Sequence, residues 1–135
     1  MTDAQLAEIY AHARSVFPAE CCGYVTDVVV RCTNAWASED RTTESAFAID
    51  GAELFVFAKS FSGPSPARTV YHSHTNGRAY FSALDRAVAI TPTGPAYPVD
   101  HLVIGVTSER VVEAARFAWD GVDYVEIARW SVGAR

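Results

Sequence analysis

The sequence predicts an α/β protein with a mixed β-sheet and helices packed on its faces. Three observations lead there. Apolar residues recur at three- and four-residue spacing over 3–17, 50–61 and 82–90, the period of amphipathic helices. Between and beyond them lie β-branched and aromatic runs of strand length at 23–26, 28–32, 68–74 and 101–107. Helices and strands interleave, yet Asp120-Gly121 marks a hairpin near the end, so both parallel and antiparallel pairs are expected. A chain of 135 residues, half of them hydrophobic, can close one core, and 1–135 reads as one domain.

The first helix carries its apolar stripe on Leu6, Ile9, Tyr10, Ala13, Val16 and Phe17. Asp3, or Thr2 with Gln5, can cap its start, and Pro18 ends it. His12 falls opposite or beside the stripe and is expected at the surface. The runs on either side of Asp27 read as a tight hairpin or one bent strand. Residues 33–45 are polar and irregular, with 38–44 as an exposed loop, and 47–49 suits a short strand. Asp50 with Glu53 forms a capping pair for the second helix, whose stripe is Leu54, Phe57, Ala58 and Phe61. The third helix, Ser82 to Ile90, should turn Leu84, Ala87 and Val88 inward. Residues 91–98 are a turn-rich loop. The 101–107 run is nearly all apolar, as in a strand buried on both faces. His101, at its start, reads as a structural hydrogen-bonding group. A final hairpin spans 111–119 and 122–130, and the last residues should fray.

Composition narrows the function. The formal charge is −5 with both signs interspersed and no basic stripe, so no nucleic-acid partner is expected. No apolar run approaches the ~20 residues of a bilayer span. The first residues start a helix and carry no signal-peptide pattern. A cytoplasmic protein without membrane contact is the expectation. Three cysteines, Cys21, Cys22 and Cys32, argue against a disulfide framework, and no CxxC pair exists for a cysteine-type zinc finger. A cysteine nucleophile paired with a histidine is the weaker alternative, because the histidines are better explained together.

The chemistry concentrates in residues 72–85. His72 and His74 lie two apart at the end of a strand and so share a face. Asn76-Gly77 signals a turn. Ser82 then opens a helix, and Asp85 follows one turn in. Two imidazoles and one carboxylate make three ligands with a fourth position open to water, the arrangement of a catalytic rather than a structural zinc site. Ser82 and Asp85 also fit a capping box, and the two roles are compatible. A lone histidine is ordinarily a surface or satisfied core residue. Two that converge on a carboxylate need a cation between them. The same ligand set describes the facial triad of non-haem iron oxygenases; the helix directly after the strand favours zinc.

These positions resemble the JAMM motif of the JAB1/MPN/Mov34 metalloprotease family: His72-x-His74, seven residues, Ser82, two residues, Asp85. Pro18-x-Glu20-x-Cys22-Gly23 is similar to the family's upstream glutamate segment. The resemblance runs from Leu6 to about Trp130 and implies an α/β/α sandwich related to the cytidine deaminase fold. It implies Zn2+ held by His72, His74 and Asp85, with Glu20 as general base and Ser82 as hydrogen-bond donor to the oxyanion. Thr75 stands where the family commonly has proline, which puts the loop's rigidity in question, and Cys21 places a thiol of no assigned role beside Glu20. The short chain looks like the small stand-alone bacterial members. The substrate so implied is an amide or isopeptide bond after the Gly-Gly tail of a ubiquitin-like or sulfur-carrier protein, for example one releasing an amino acid such as cysteine. The tail would add beside a strand bordering the 75–81 loop, with 91–98 shaping the other side. A non-catalytic MPN-type scaffold is the competing reading, although relatives of that kind usually lack the ligands present here.

Overall fold

The computed structural model describes residues 1–133, and its elements follow the expected order. Helix α1 (Asp3–Val16) starts on a capping box between Thr2 and Gln5. Strands β1 (Cys22–Val25) and β2 (Val29–Cys32) form an antiparallel hairpin rather than one bent strand. Helix α2 (Gly51–Ser60), strand β3 (Thr69–His74) and helix α3 (Ala83–Ala89) come next. The 91–98 region contains a small hairpin of β4 (Ile90–Thr91) and β5 (Gly94–Pro95). Strands β6 (Asp100–Val106), β7 (Val111–Trp119) and β8 (Tyr124–Ser131) complete the order. The expected fraying concerns residues 134 and 135, which lie outside the described residues.

Six strands form one sheet in the order β2-β1-β3-β6-β7-β8. Only β3 and β6 pair in parallel, because the connection between them carries a helix; the other pairs are antiparallel. Side chains alternate across this mixed sheet. On one face, Ile9 and Ala13 of α1 pack with Tyr71, Leu102, Ile104 and Val106. On the other, Phe57 of α2 packs with Cys22, Tyr24 and Val70, and Ala89 of α3 with Phe81, Val103 and Phe117. Helices therefore cover both faces, which is the α/β/α sandwich. All six residues of β3 are buried, and it holds the middle of the molecule. Among the described residues no helix is long and apolar enough to cross a membrane.

Several local expectations are corrected. His12 is buried, not at the surface: it sits three residues from Ile9, on the stripe itself, and its Nδ1 lies 2.6 Å from the Tyr71 hydroxyl. Asp50 makes no side-chain cap bond, and the Glu53 carboxylate accepts from the Thr33 N–H at 2.7 Å instead of returning to the Asp50 N–H, which donates to the Thr33 carbonyl. Ala58 is exposed, so Phe57 carries the inward face of α2. In α3 the buried residues are Asp85 and Ala89, four apart, which turns Ala87 and Val88 toward solvent. Residues 47–49 contribute only an isolated bridge, between Asn34 and Ile49.

Two glycines matter to the site. Gly23 faces Tyr71 across β1 and β3, and a Cβ there would collide with the Tyr71 ring and the Val30 carbonyl. Gly105 of β6 lies opposite His74, and a Cβ there would collide with the Gly77 backbone. The 75–81 loop thus rests directly on the sheet beside His74.

Candidate metal centre

β3 places His72 and His74 on the α2/α3 face and turns Tyr71 and Ser73 toward α1. The loop then returns the chain so that α3 begins over the two rings. Asp85 points inward from the first turn of that helix. The result is a triangle: His72 Nε2, His74 Nε2 and Asp85 Oδ2 are each 3.2 Å from the other two. Tetrahedral ligands have edges about 1.6 times the bond length, so bonds of ~2.0 Å require edges of ~3.3 Å. The triangle matches one face of such a tetrahedron. The donor set, two imidazole nitrogens and a carboxylate oxygen, also suits zinc. A set of neutral donors at these distances leaves two ring nitrogens facing each other with one acceptor between them; a cation resolves that conflict.

Glu20, from the segment that leads into β1, also reaches this place. One of its carboxylate oxygens and the ring nitrogens of His72 and His74 all lie within 4.8 Å of one another. It is buried, yet its carboxylate makes no hydrogen bond to either ring, unlike Asp85. Burial, and then the charge of Asp85, push the Glu20 carboxyl up to about 8. Burial would raise Asp85 too, but the facing His72 and the hydrogen bonds from His72, His74 and the Ser82 N–H outweigh it and hold Asp85 ionised. Burial keeps His72 neutral against the pull of Asp85. The pocket therefore holds one ionised carboxylate, Asp85, against a neutral imidazole, which is an arrangement a cation meets favourably.

Ser82 is the N-cap of α3. Its Oγ accepts from the Asp85 N–H at 3.0 Å, and its own N–H donates to Asp85 Oδ2 at 2.9 Å. The capping box is real and fixes the carboxylate that completes the triangle. The hydroxyl hydrogen remains available to donate elsewhere. All five residues singled out in the sequence, Glu20, His72, His74, Ser82 and Asp85, thus lie at one place.

Other side chains hold this place together, and the motif gave no sign of most of them. Phe47 stacks on the His72 ring at 4.4 Å, and the Tyr80 ring lies 4.5 Å from His74. Asn34 donates to the carbonyls of Glu20 and Ala46, at 3.0 and 2.9 Å, pinning the segment that covers Glu20. Thr75 Oγ1 donates to the Glu44 carbonyl at 3.0 Å, so the residue in the proline position ties the 75–81 loop to the 38–44 loop. The Ala79 peptide is held from both ends: Arg129 donates to its carbonyl at 2.6 Å, and Glu113 accepts its N–H at 2.8 Å. Arg129 and Glu113 are themselves paired at 2.8 Å. The second nitrogens of the site histidines, Nδ1 of His72 and of His74, are buried without a protein partner.

The remaining candidates fall elsewhere. Cys21 packs in the α1-side core, and burial pushes its thiol up to about 12. Burial likewise pushes Cys32 up to about 12 and Cys22 higher still, so none of the free thiols resembles an activated nucleophile. His101 does not hydrogen-bond through Nδ1; it sits edge-on between Phe81 and Tyr124, at 5.1 and 4.8 Å.

Comparison with known proteins bears on the fold and the family. A search of the curated proteins finds no match. Among solved structures, a protein from Desulfitobacterium hafniense aligns with a TM-score of 0.65 at 23% identity, over 93% of this chain and 87% of that one. A protein from Salinibacter ruber aligns with a TM-score of 0.57 at 18% identity, over 95% and 87%. At these identities both likenesses concern the fold. The family model described as prokaryotic homologs of the JAB domain matches residues 2–120. The chain belongs to that family of prokaryotic JAB-domain homologues.

Proposed function

We propose that the protein is a JAMM-type zinc hydrolase that cleaves an amide bond after the C-terminal tail of a ubiquitin-like or sulfur-carrier protein. The observation that carries this reading is the 3.2 Å triangle of His72, His74 and Asp85 with Glu20 beside it. Zinc bound by these three residues would supply Lewis-acid polarisation of the carbonyl and acidify the attacking water.

Glu20 is the general base. It lies beside the triangle without being drawn into it, within reach of a water attacking there, as a general base must. It takes the proton of the attacking water and delivers it to the departing amine. Ser82 is fixed at the helix start by its bond with the Asp85 N–H, and its hydroxyl donates to the oxygen that gains charge. Phe47 and Tyr80 keep the two imidazoles in place and limit water around them.

The substrate's Gly-Gly tail reaches the site extended. β3 and β6 are paired on both sides, so neither accepts an added strand. The sheet edges are β2 and β8, and β8 is tied to the 75–81 loop through Arg129. A tail that adds to this molecule by strand pairing would therefore use β8 rather than a strand leading into the loop.

The test is cleavage of a carrier protein extended beyond Gly-Gly, with metal content measured on the same samples. The wild type should bind one zinc and cleave. Glu20→Gln should bind zinc and lose at least ~10²-fold in kcat, the scale of a general base. Normal cleavage by Glu20→Gln, or redox-active iron in protein purified without added metal, would overturn the reading. Full partner binding by a His74→Ala protein that lacks metal, with no cleavage by wild type, would make it a scaffold.

A further inference from the structure

Beside the metal centre lies a cavity of ≈ 330 Å³ between α2, α3 and the sheet. Two of its walls are the ligand residues His72 and Asp85. The rest is almost wholly apolar, including Trp36, Leu54, Phe57, Leu84 and Tyr97. Among the described residues no lysine, arginine or glutamate lines it, and Asp85 is its one acidic residue. The His101 ring is neutral, because burial pulls it down to about 3, and its Nδ1 has no partner.

A cavity of this volume is at the small end of ligand pockets, which run ~300–1,000 Å³. It has room for a large side chain. We propose that the cavity receives a large apolar or aromatic side chain belonging to the residue on the amine side of the scissile bond. The proposal rests on the hydrolase reading above and extends it to the leaving group. Its two supports are continuity with the ligands and absence of charge. The acyl side of a Gly-Gly tail ends in a residue without a side chain, so a pocket sharing walls with the metal centre has its occupant on the other side of the bond. An apolar lining with no anion beyond the ligand Asp85 leaves a lysine ammonium unpaired, which disfavours lysine in that position.

Two measurements on the zinc-loaded protein test this. The first is an NMR titration with phenylalaninamide, lysinamide and glycinamide. Saturable shifts at Trp36, Leu84 and Tyr97 are expected with phenylalaninamide alone. They should vanish in Ala96→Trp, which plugs the exposed mouth, and in Ala48→Phe, which fills the wall; zinc content verifies that each variant is folded. The second is cleavage of carrier fusions with phenylalanine, lysine or glycine directly after Gly-Gly. Phenylalanine should be favoured by about ten-fold or more in kcat/KM, the scale of a filled apolar pocket. An added apolar residue before Gly-Gly should have no such effect. Equal response to the three amides, no response to any, or a preference set only by the residue before Gly-Gly would overturn the proposal. Selective binding of phenylalaninamide with no cleavage of any fusion would overturn the hydrolase reading and leave the apolar-amine subsite standing.

Discussion

The two faces of β3 treat histidine in opposite ways. On the α1 side, His12 meets one partner, the Tyr71 hydroxyl, at 2.6 Å, and the pair is closed off by apolar residues. On the α2/α3 side, His72 and His74 crowd one carboxylate oxygen at 3.2 Å, while both of their Nδ1 atoms lack a protein partner. The first arrangement is complete with protein atoms alone. The second gathers buried side chains of Glu20, His72 and His74 into a group that could hold a metal ion. The contrast teaches that burial of a histidine says little; the count of partners around it separates a core contact from a ligand.

The largest break in this contrast comes from Asp85→Ala. Zinc affinity should fall by at least ~10³-fold, because one of three ligands is lost, while the sheet and α1 packing remain. Titration with zinc, read by metal content and by the rise in Tm, checks it. Tyr71→Phe should do the reverse. It leaves His12 buried without a partner and should cost about 1–3 kcal/mol in urea unfolding, with zinc stoichiometry unchanged. Arg129→Ala sharpens the comparison on the site side. Freeing the Ala79 carbonyl should weaken zinc binding about ten-fold, as loss of outer support does at other metal sites, with a smaller change in stability of the metal-free protein.

The last test is a pH dependence. Burial pulls His12 down to about 4, below its ordinary value near 6.5. The unfolded chain therefore takes up that proton first as pH falls. The stability due to neutral His12 is fully present above ~6.5 and is lost as pH drops toward ~4, by at most ~1.4 kcal/mol per pH unit. Urea unfolding of the Asp85→Ala protein at several pH values removes the metal from the measurement. Adding His12→Phe should flatten the slope, and the contribution of buried His101 should remain.

Much of this was legible in the sequence, and the failures are instructive. Strand and helix periods point to the layers, the 72–85 spacing points to His72, His74 and Asp85, and Glu20 is reached only through the resemblance to the JAMM motif. His12 lies on the buried stripe with Ile9 and Ala13, but its polar ring argues for the surface until the opposing Tyr71 hydroxyl, far away in the chain, is known. Val88 was misplaced because apolar character was followed, whereas α3 turns its one carboxylate inward. Phe47, Asn34 and the Glu113–Arg129 clamp act through contacts between segments far apart in the chain. Local patterns carry no record of such contacts. The cavity likewise exists only between elements, so no single run of residues announced it.

The Ala79 clamp has a consequence for how the protein matures. Glu20 enters before β1, the ligands come from β3 and α3, and the loop between them is held by residues of β7 and β8. No early fragment of the chain contains a finished centre. Pairing of the last strand must precede tight metal capture, and such long-range closure is slow relative to helix formation. Metal would then act as a latch on the completed fold, adding RT ln(1 + [L]/Kd) to its stability, and its uptake would report that the two ends of the sheet have come together.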